Sequence, residues 1–376
     1  MKVAIVLTTR WWRASIDQDG YCAALARLGH EPVLYCLGND AGEADFPVVE
    51  ASPSDMSDAA YWQRQGLDVA IVFNWLRDYR LLEALQQAGT RTITRADSDG
   101  QASVRVFPRE TLSLCLSSAP TVGSRVREGV HWLRRYLRLS REEDAELLAT
   151  ANASDAIAIE SREAAENLRA IFTHYGREDL GGRIAVVPHS VKDEFLTAPI
   201  GGADRPPLVF CGGRWDDVQK DAPLLQRTLQ RVLAEREDVR VVVAGAGMEN
   251  FAALAGHPRV RLAGQIPRTE LRAILAEARF LLASSRWETQ PIGSLEALCL
   301  GATVVAPSLP GFVALVDQGA SGTLAAHRDD ASLARAALAE LQCWDQGRRD
   351  PDHIARKWRA LVSNDAVAAG LLKSIA

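Results

Sequence analysis

The sequence predicts an α/β protein of two Rossmann-like domains, each a doubly wound parallel sheet, that face each other across a cleft. Short runs rich in Val and Ile alternate with longer amphipathic stretches, which is typical of buried parallel strands joined by crossover helices. This series occurs twice, and a polar stretch rich in Pro and Gly, Thr197–Pro207, separates the two occurrences. A length of 376 residues is also sufficient for two hydrophobic cores.

The apolar runs give the expected strands. In the first series we expect six strands: Val3–Leu7, Pro32–Cys36, Val69–Phe73, Arg91–Thr94, Ala156–Ile159 and Ile184–Val187. In the second series we expect five: Leu208–Cys211, Val239–Ala244, Val260–Leu262, Phe280–Ala283 and Thr303–Ala306. Amphipathic stretches predict helices at Gly20–Leu28, Arg80–Ala88 and Ser161–Thr173. The expected domains are 1–197 and 198–351, with a C-terminal helix, 352–376, that crosses back to the first domain.

Composition and charge narrow the class of protein. A formal net charge of −5 gives no overall attraction to nucleic acid or to an anionic membrane. The six cysteines are scattered without a C-x-x-C pair, which is typical of free thiols in a reducing compartment. The first residues run directly into a strand without a signal peptide, and no apolar run has the length of a membrane span. We therefore expect a cytoplasmic protein.

One segment is strongly basic. Val104–Arg141 contains eight arginines and two glutamates, a local charge of +6. The spacing of Trp132, Tyr136 and Leu139 predicts an amphipathic helix with a basic face. Its arginines are either solvated or paired with the acidic run Glu142–Glu146, or residues 125–141 contact an acceptor or a membrane surface. The aromatic side chains fall on the apolar stripe, which argues against nucleic acid.

Two carboxylates follow a strand of the second domain and stand eight residues apart, Glu288 and Glu296. Between them Pro291 begins a helix, where unbonded backbone amides and the helix dipole favour an anion. We expect the amides of this entry to bind a phosphate: Ile292, Gly293 and Ser294. Glu288 then lies beside whatever the phosphate carries, and Glu296 can accept two hydrogen bonds from a vicinal diol.

Paired cations follow another strand of the second domain. Gly212 and Gly213 precede Arg214, and Lys220 follows six residues later. A planar guanidinium and a mobile ammonium suit a pyrophosphate and stabilise the charge on a departing nucleoside diphosphate. Taken alone, the same residues also fit a turn with a solvated arginine.

These residues carry a resemblance to a known family. The second half resembles the retaining glycosyltransferases of family four, which have the GT-B fold. The Gly-Arg-x5-Lys pattern matches Gly213, Arg214 and Lys220, and the Glu-x7-Glu pattern matches Glu288 and Glu296. The resemblance extends over five short segments: 243–247, 260–264, 301–306, 310–311 and 319–322. In the first half it covers 185–191, with His189 where Asn is usual.

The resemblance implies roles for the matching residues. Arg214 and Lys220 would bind the diphosphate of a nucleoside diphosphate sugar, with a UDP-sugar favoured. Glu288 would bind the transferred sugar, Glu296 the ribose hydroxyls, and Ile266 would lie beside the base. Similar enzymes use neither a cofactor nor a metal here, and the seven histidines form no ligand cluster in the sequence. The acceptor, which the residues do not identify, would bind the first domain.

The sequence departs from the family pattern at several positions. Pro291 lies in the turn after Glu288 and cannot donate a hydrogen bond. Asp97 stands where many members have His, and it is either a base or acceptor-hydroxyl ligand, or a turn or helix cap. Gly20 is expected to open the first helix beneath the phosphates. Trp11 and Trp12 either stack on an acceptor or pack in the core.

Other functions fit the sequence less well. A nicotinamide dehydrogenase requires G-x-G-x-x-G after an early strand, and the sequence has no such run. A sugar-nucleotide epimerase of the same fold would bind the same donor. A sugar-nucleotide-binding protein with impaired transfer is suggested by Pro291 and by the absent His. The sequence thus predicts a glycosyltransferase and leaves these two alternatives open.

Overall fold

The computed structural model of the chain describes residues 1–11, 18–40, 42–74, 76–119 and 121–376. It divides into two compact units. The N-terminal unit consists of residues 1–192 and 362–376, and the C-terminal unit of residues 193–361. The division thus falls at 192/193, where 197/198 was expected, and the chain returns to the N-terminal unit at Val362, where residue 352 was expected.

The N-terminal unit contains a parallel sheet of seven strands in the order β3-β2-β1-β4-β5-β6-β7. Its strands are β1 Lys2–Leu7, β2 Glu31–Cys36, β3 Val48–Glu50, β4 Val69–Asn74, β5 Arg91–Ala96, β6 Ala156–Ile159 and β7 Ile184–Val186. The six expected strands are confirmed, and β3 is an addition at the edge. The strand order reverses between β1 and β4, which is the arrangement of a doubly wound fold.

The C-terminal unit contains a parallel sheet of six strands in the order β10-β9-β8-β11-β12-β13. Its strands are β8 Leu208–Arg214, β9 Arg240–Ala246, β10 Val260–Gly264, β11 Phe280–Leu282, β12 Thr303–Pro307 and β13 Gly322–Ala325. The five expected strands are confirmed, and β13 is an addition. Here the order reverses between β8 and β11, and ligands of such sheets bind at the carboxyl ends of the strands at this point.

Helices cover both sheets. They are α1 Gln18–Arg27, α2 Pro53–Met56, α3 Ala59–Gln65, α4 Tyr79–Gln87, α5 Pro108–Ser118, α6 Val122–Arg134, α7 Ser140–Asn152, α8 Arg162–His174, α9 Glu178–Gly181, α10 Asp193–Leu196, α11 Ala222–Glu235, α12 Arg268–Glu277, α13 Ile292–Cys299, α14 Pro310–Val316, α15 Asp330–Asp345, α16 Pro351–Val362 and α17 Asn364–Lys373. A π-helical turn, Arg135–Leu139, joins α6 to α7, and 3-10 turns occur at Val218–Lys220, Met248–Leu254 and Asp317–Gly319.

Both faces of the N-terminal sheet are buried, because successive side chains of β1 pack in two different cores. Val3, Ile5 and Leu7 pack in a core with α1 and α17. Ala4 and Val6 point to the opposite face and pack in a core with α3 and α4. Burial on two faces explains why this strand is apolar throughout. In the described part of the chain, no helix is both long enough and apolar enough to cross a bilayer.

Candidate functional site

The predicted donor residues lie on two loops of the C-terminal unit. Arg214 ends β8, and Glu288 lies in the loop between β11 and α13. These strands are neighbours in the sheet, at the point where the strand order reverses. Because the carboxyl ends of parallel strands share one edge, the fold brings both loops to the place where such sheets bind ligands.

A buried ion pair joins the two loops. Lys220 Nζ lies 2.6 Å from Glu288 Oε1, and both side chains are largely shielded from solvent. Ser285 Oγ donates a second hydrogen bond to the same oxygen, at 2.7 Å. A cation and a hydroxyl thus hold the Glu288 carboxylate in one orientation, with a charge-assisted bond that is stronger away from water.

Three hydrogen bonds to backbone carbonyls connect the two loops and hold this ion pair in place. Gln219 Nε2 donates to the carbonyl of Trp287 at 2.9 Å, and the Arg286 amide donates to the carbonyl of Gln219 at 2.8 Å. Ser284 Oγ donates to the carbonyl of Lys220 at 2.6 Å. The site is therefore assembled by contacts between residues more than sixty positions apart, which the spacing of the motifs does not show.

Asp221 supports the turn that carries Lys220. Its backbone is left-handed, with φ of 50°, and its carboxylate caps α11 by accepting from the Leu224 amide. Arg328 lies 2.5 Å and Arg286 3.3 Å from the same carboxylate. Two cations and a cap therefore stabilise a backbone conformation that a non-glycine residue rarely adopts. The sequence patterns did not indicate Asp221, Ser285 or Arg328.

Arg214 is held less tightly. Its side chain is 72% exposed and lies 3.1 Å from the Asp217 carboxylate. Exposed ion pairs contribute little to stability and exchange readily. The guanidinium is therefore available to an anionic ligand once it leaves Asp217.

Two glycines allow close packing around Lys220 and around the backbone of the Glu288 loop. A Cβ atom at Gly213 would lie 3.3 Å from Lys220 Cγ. A Cβ atom at Gly311 would lie 2.6 Å from the carbonyl oxygen of Glu288 and 2.7 Å from that of Thr289. The Pro310-Gly311 pair therefore permits α14 to approach the Glu288 loop closely.

The entry of α13 differs in one detail from the expectation. The Ser294 amide donates to the carbonyl of Pro291 at 2.9 Å, and the Ser294 side chain is buried. The prediction that this amide is available to an anion is therefore wrong, because it closes the first helical turn. The amides of Ile292 and Gly293, the first two residues of α13, have no acceptor within the helix.

The remaining donor candidates lie on neighbouring elements of the same unit. Glu296 is half-buried on α13, one turn beyond its entry. Ile266 is half-buried in the loop between β10 and α12, after Gly264 with φ of 65°.

In the N-terminal unit Asp97 directly follows β5 and belongs to a charged cluster. Asp97 is 53% exposed, with Oδ1 3.7 Å from His189 Nε2. His189 Nε2 lies 3.6 Å from Glu160 Oε1. Arg95 Nη2 lies 3.3 Å from His189 Nδ1 and 3.8 Å from Glu160 Oε1. The expectation that no histidine joins a ligand cluster is wrong, because the fold brings His189 beside two carboxylates that are distant in sequence.

The chemistry of this cluster follows from Arg95. A guanidinium only donates hydrogen bonds, so the tautomer of His189 that accepts from Arg95 at Nδ1 carries its proton on Nε2, towards Asp97 and Glu160. Burial raises the pKa of Glu160 to about 7, while Arg95 and His189 act in the opposite direction. Since Arg95 already supplies a fixed cation beside Glu160, a divalent metal ion would meet like charge there.

The other N-terminal candidates have structural roles. Trp11 is 1% exposed and packs beside Phe46 in the core that α1 covers. Its burial agrees with the packing interpretation, while Trp12 lies outside the described residues. Gly20 is inside α1, and a Cβ atom there would lie 2.3 Å from Asn364 Oδ1 of α17. Glycine at this position therefore permits α17 to pack against α1.

The N-terminal unit also has a cavity of about 420 Å³ at the carboxyl edge of its sheet. Thr8 after β1 lines it, together with Tyr79, Arg80 and Glu146. The loop that leads into it from β4 contains left-handed non-glycine residues, Leu76 with φ of 58° and Asp78 with φ of 63°. Strained backbone of this kind is common at ligand sites.

Comparison with known sequences identifies the C-terminal unit. Residues 205–342 match the sequence model of the family Glycosyl transferases group 1. A phosphatidyl-myo-inositol mannosyltransferase of Mycobacterium leprae is 29% identical over 172 residues, which are 44% of this chain and 46% of that protein. The chain thus spans about half the length of the curated relatives it matches.

Solved structures show the same fold over the whole chain. Sucrose-phosphate synthase from Thermosynechococcus elongatus is 16% identical, with a TM-score of 0.64 over 99% of this chain and 98% of that one. HepE from Anabaena, in complex with UDP and glucose, is 12% identical, with a TM-score of 0.62 over 100% and 99%. The chain therefore has the fold of the GT-B glycosyltransferases, and its residues 205–342 are similar to the family Glycosyl transferases group 1.

Proposed function

We propose that this chain is a retaining glycosyltransferase that transfers a hexose-like sugar from a nucleoside diphosphate sugar to a hydroxyl acceptor. The observation that carries the proposal is the buried Lys220–Glu288 pair, with Arg214 nearby in sequence, at the ligand-binding edge of the second sheet. A UDP-sugar is favoured as donor, in agreement with the UDP bound to HepE.

Each group has a distinct task in this proposal. Lys220, Arg214 and the first amides of α13 bind the diphosphate and stabilise its charge as it departs. Glu288 exchanges part of its bond with Lys220 for a hydroxyl of the sugar, while Glu296 accepts from the ribose and Ile266 contacts the base. Two cations and a helix entry supply the positive charge, so that no metal is required. The departing phosphate oxygen accepts the proton of the acceptor hydroxyl, which attacks from the same face.

We place the acceptor on the N-terminal unit. Asp97 is exposed and lies 3.7 Å from His189 Nε2, so its carboxylate is accessible to accept a hydrogen bond from an acceptor hydroxyl. The cavity beside Tyr79 and Arg80 opens at the carboxyl edge of the same sheet and offers hydroxyl and charged groups for a polyol.

The curated relatives are named for a phosphatidyl-myo-inositol substrate, which is a membrane lipid. We therefore include in the proposal a peripheral membrane contact through the basic segment 125–141. The six cysteines are all free thiols, which supports a reducing compartment such as the cytoplasm.

Substitutions in the donor site test the proposal. UDP and UDP-sugars are expected to raise the melting temperature of the protein, because a ligand that binds only the folded state stabilises it. Arg214→Ala and Lys220→Ala should abolish this shift and lower turnover by about a hundredfold, the scale of removing one group that stabilises transition-state charge. Arg261→Ala, which removes an exposed cation of the same unit that pairs with Glu270, serves as the control. Unchanged donor affinity and turnover in the first two variants would refute the site.

Incubation with donor alone separates the alternatives. An epimerase converts the donor sugar without an acceptor, whereas a transferase releases free sugar slowly by hydrolysis. Loss of this hydrolysis in Glu288→Ala would exclude a protein that only binds sugar nucleotides.

A further inference from the structure

Helix α6 and the π-helical turn that follows it carry two apolar stripes, of which one contacts the protein and the other is exposed. On the inner face Trp132 stacks on Tyr136 with ring centres 5.2 Å apart, and Trp132 Nε1 donates to Thr111 Oγ1 of α5 at 3.0 Å. These are two of the three residues of the stripe that the sequence predicted, and the third, Leu139, is 48% exposed. The aromatic rings of this stripe contact the protein and are therefore not the surface that α6 offers to a partner.

A second stripe, here called the outer stripe, lies about 100° around the helix from Trp132, because Leu133 is the next residue and each residue turns the helix by about 100°. Its residues are spaced by four, four, three and four positions, which places them on one side of a helix: Val122, Val126, Val130, Leu133 and Leu137. Their exposed fractions lie between 47% and 78%. Six of the twelve large apolar residues recorded as exposed in the described part of the chain lie between 122 and 139. Such a concentration marks an interaction surface.

Arginines border the outer stripe on both sides. Arg125 and Arg127 flank Val126, Arg134 follows Leu133, and each step along a helix turns by about 100°. Residues 122–141 contain six arginines and one glutamate, a local charge of +5 in a chain whose net charge is −5. Arg135 pairs with Glu143 at 2.7 Å, but within the described residues no carboxylate is recorded as pairing with Arg134, Arg138 or Arg141.

An apolar groove adjoins this surface. It is open, has a volume of about 540 Å³ and is lined by Leu112, Ser113 and Leu116 of α5. Arg109 and Arg125 also line it. Cationic groups beside an exposed apolar channel are complementary to a molecule with an anionic head and a hydrocarbon tail.

We propose that the outer stripe of α6 and its bordering arginines dock on an anionic phospholipid bilayer, with the helix lying in the plane of the interface. An apolar face between arginines is the arrangement of interfacial helices, because apolar side chains enter the acyl region while arginine stems extend to the phosphates. A second copy of the chain is a poor occupant, since pairing two outer stripes brings like charges together with Glu128 as the sole acidic residue. This inference rests on the proposed membrane contact and assigns it a face and a lipid class.

Vesicle sedimentation with the full-length protein tests the inference. We expect binding to vesicles of phosphatidylcholine mixed with phosphatidylglycerol, weak binding to phosphatidylcholine alone, and loss of binding as salt increases. Leu133→Glu should lower the partition coefficient roughly tenfold or more, because it replaces a side chain that would be buried. Arg134→Gln and Arg138→Gln should each lower it about fivefold, the effect of one basic residue at an anionic surface.

Leu361→Glu is the matched control, because Leu361 is equally exposed in the C-terminal unit. It should bind vesicles like the unaltered protein. Equal vesicle binding by Leu133→Glu, or no binding of the unaltered protein to anionic vesicles at low salt, would overturn the inference. A dimer that dissociates in Leu133→Glu would also overturn it, in favour of a second copy.

The UDP-induced thermal shift keeps this test separate from that of the proposed function. Leu133 is remote in sequence from the donor motifs, so Leu133→Glu should retain the shift, which also shows that the variant is folded. Lost vesicle binding with a normal shift supports the docking face. Vesicle binding without any UDP response would instead refute the donor site and leave the docking face standing.

Discussion

Arg214 and Lys220 belong to the same sequence motif, but their side chains have different surroundings. Lys220 is shielded and paired with Glu288, whereas Arg214 extends into solvent beside Asp217. A shielded pair is costly to break, because removing one partner leaves a buried charge. An exposed pair is weak and exchanges its partner readily. Lys220 therefore orders the Glu288 loop, while Arg214 is able to move on to an arriving diphosphate.

The first prediction concerns Asp217, which competes with the donor for Arg214. Asp217→Asn should bind UDP up to about fivefold more tightly, because it releases the guanidinium from an exposed pair and removes negative charge near the diphosphate. Asparagine can still accept the Gln219 amide, so the turn that carries Lys220 is preserved. Calorimetric titration with UDP measures the change.

Asp238→Asn is the control for Asp217→Asn, because Asp238 pairs with Arg236 away from the donor motifs. Its affinity for UDP should be that of the unaltered protein. Weaker binding by Asp217→Asn would show that Asp217 orients Arg214 and does not compete for it.

The second prediction concerns Glu160, whose buried carboxyl group has a pKa of about 7. The folded state binds this proton more tightly than the unfolded state, whose pKa lies near 4.5. The contribution of Glu160 to stability is therefore fully present below 4.5 and is lost as the pH rises through about 7. The loss is on the order of 3 kcal/mol, and Glu160→Gln should lack it.

Urea unfolding of both proteins, just above pH 4.5 and above pH 7, measures this difference. The stability of Glu160→Gln relative to the unaltered protein should rise between the two conditions. Glu166→Gln alters an exposed carboxylate of α8 and should show no such change. A constant difference between Glu160→Gln and the unaltered protein would contradict the raised pKa.

At the scale of elements, strands with an apolar run were predictable, the edge strands β7 and β10 included, whereas the edge strands β3 and β13 were not. β3 has three residues, all at least partly exposed, and β13 begins with Gly322. Neither presents the long apolar run that marks a buried strand. Both pair at the edge of a sheet that other strands have already formed.

The faces of α6 show a second limit of sequence patterns. Trp132 and Tyr136 predict one apolar stripe, and Val126 and Leu133 form another about 100° around the helix. Periodicity indicates that both stripes exist, but tertiary packing decides which one is covered. The donor motifs were predictable from the spacing of their charged residues along the chain, whereas Asp221 supports Lys220 through contacts that only the folded loops create.

The third prediction tests how α14 supports the Glu288 loop. Gly311→Ala places a Cβ atom against two backbone carbonyls of that loop, so the loop must move. We expect turnover to fall about a hundredfold, as when a reacting group is displaced by about 1 Å. Stability should fall by only about 1–3 kcal/mol, the usual cost of overpacking. Steady-state kinetics and thermal unfolding measure the two effects.

Gly202→Ala is the control for Gly311→Ala, because a Cβ atom at Gly202 meets nothing within 4 Å. It should leave both turnover and stability unchanged. Normal turnover in Gly311→Ala would mean that the loop tolerates the displacement and that Pro310-Gly311 has no role in positioning Glu288.

At the scale of the whole molecule, the N-terminal unit is built from both ends of the chain. α17 supplies Val367, Ala368 and Leu371 to the core beside α1, and Ile375 follows just after the helix. Arg27 of α1 pairs with Asp365 of α17 at 2.6 Å. The last residues of the chain therefore stabilise the N-terminal unit. In sequence they follow residues 193–361, which form the C-terminal unit.

The fourth prediction follows from this discontinuous unit. Removal of residues 363–376 should destabilise the N-terminal unit by roughly 5 kcal/mol, since three large apolar side chains lose their burial. The C-terminal unit retains its own core and both donor loops, so UDP should still raise its unfolding temperature. Differential scanning calorimetry with and without UDP should therefore show one transition lowered and the other still responsive to the nucleotide.

Two substitutions decide whether packing of α17 causes that loss. Leu371→Ala should lower the same transition by a smaller amount, because it creates a cavity in the core beside α1. Lys373→Ala changes an exposed residue of the same helix and should have no effect. If the truncated protein also loses its response to UDP, the donor site depends on the N-terminal unit, and the two units do not act as separate bodies in donor binding.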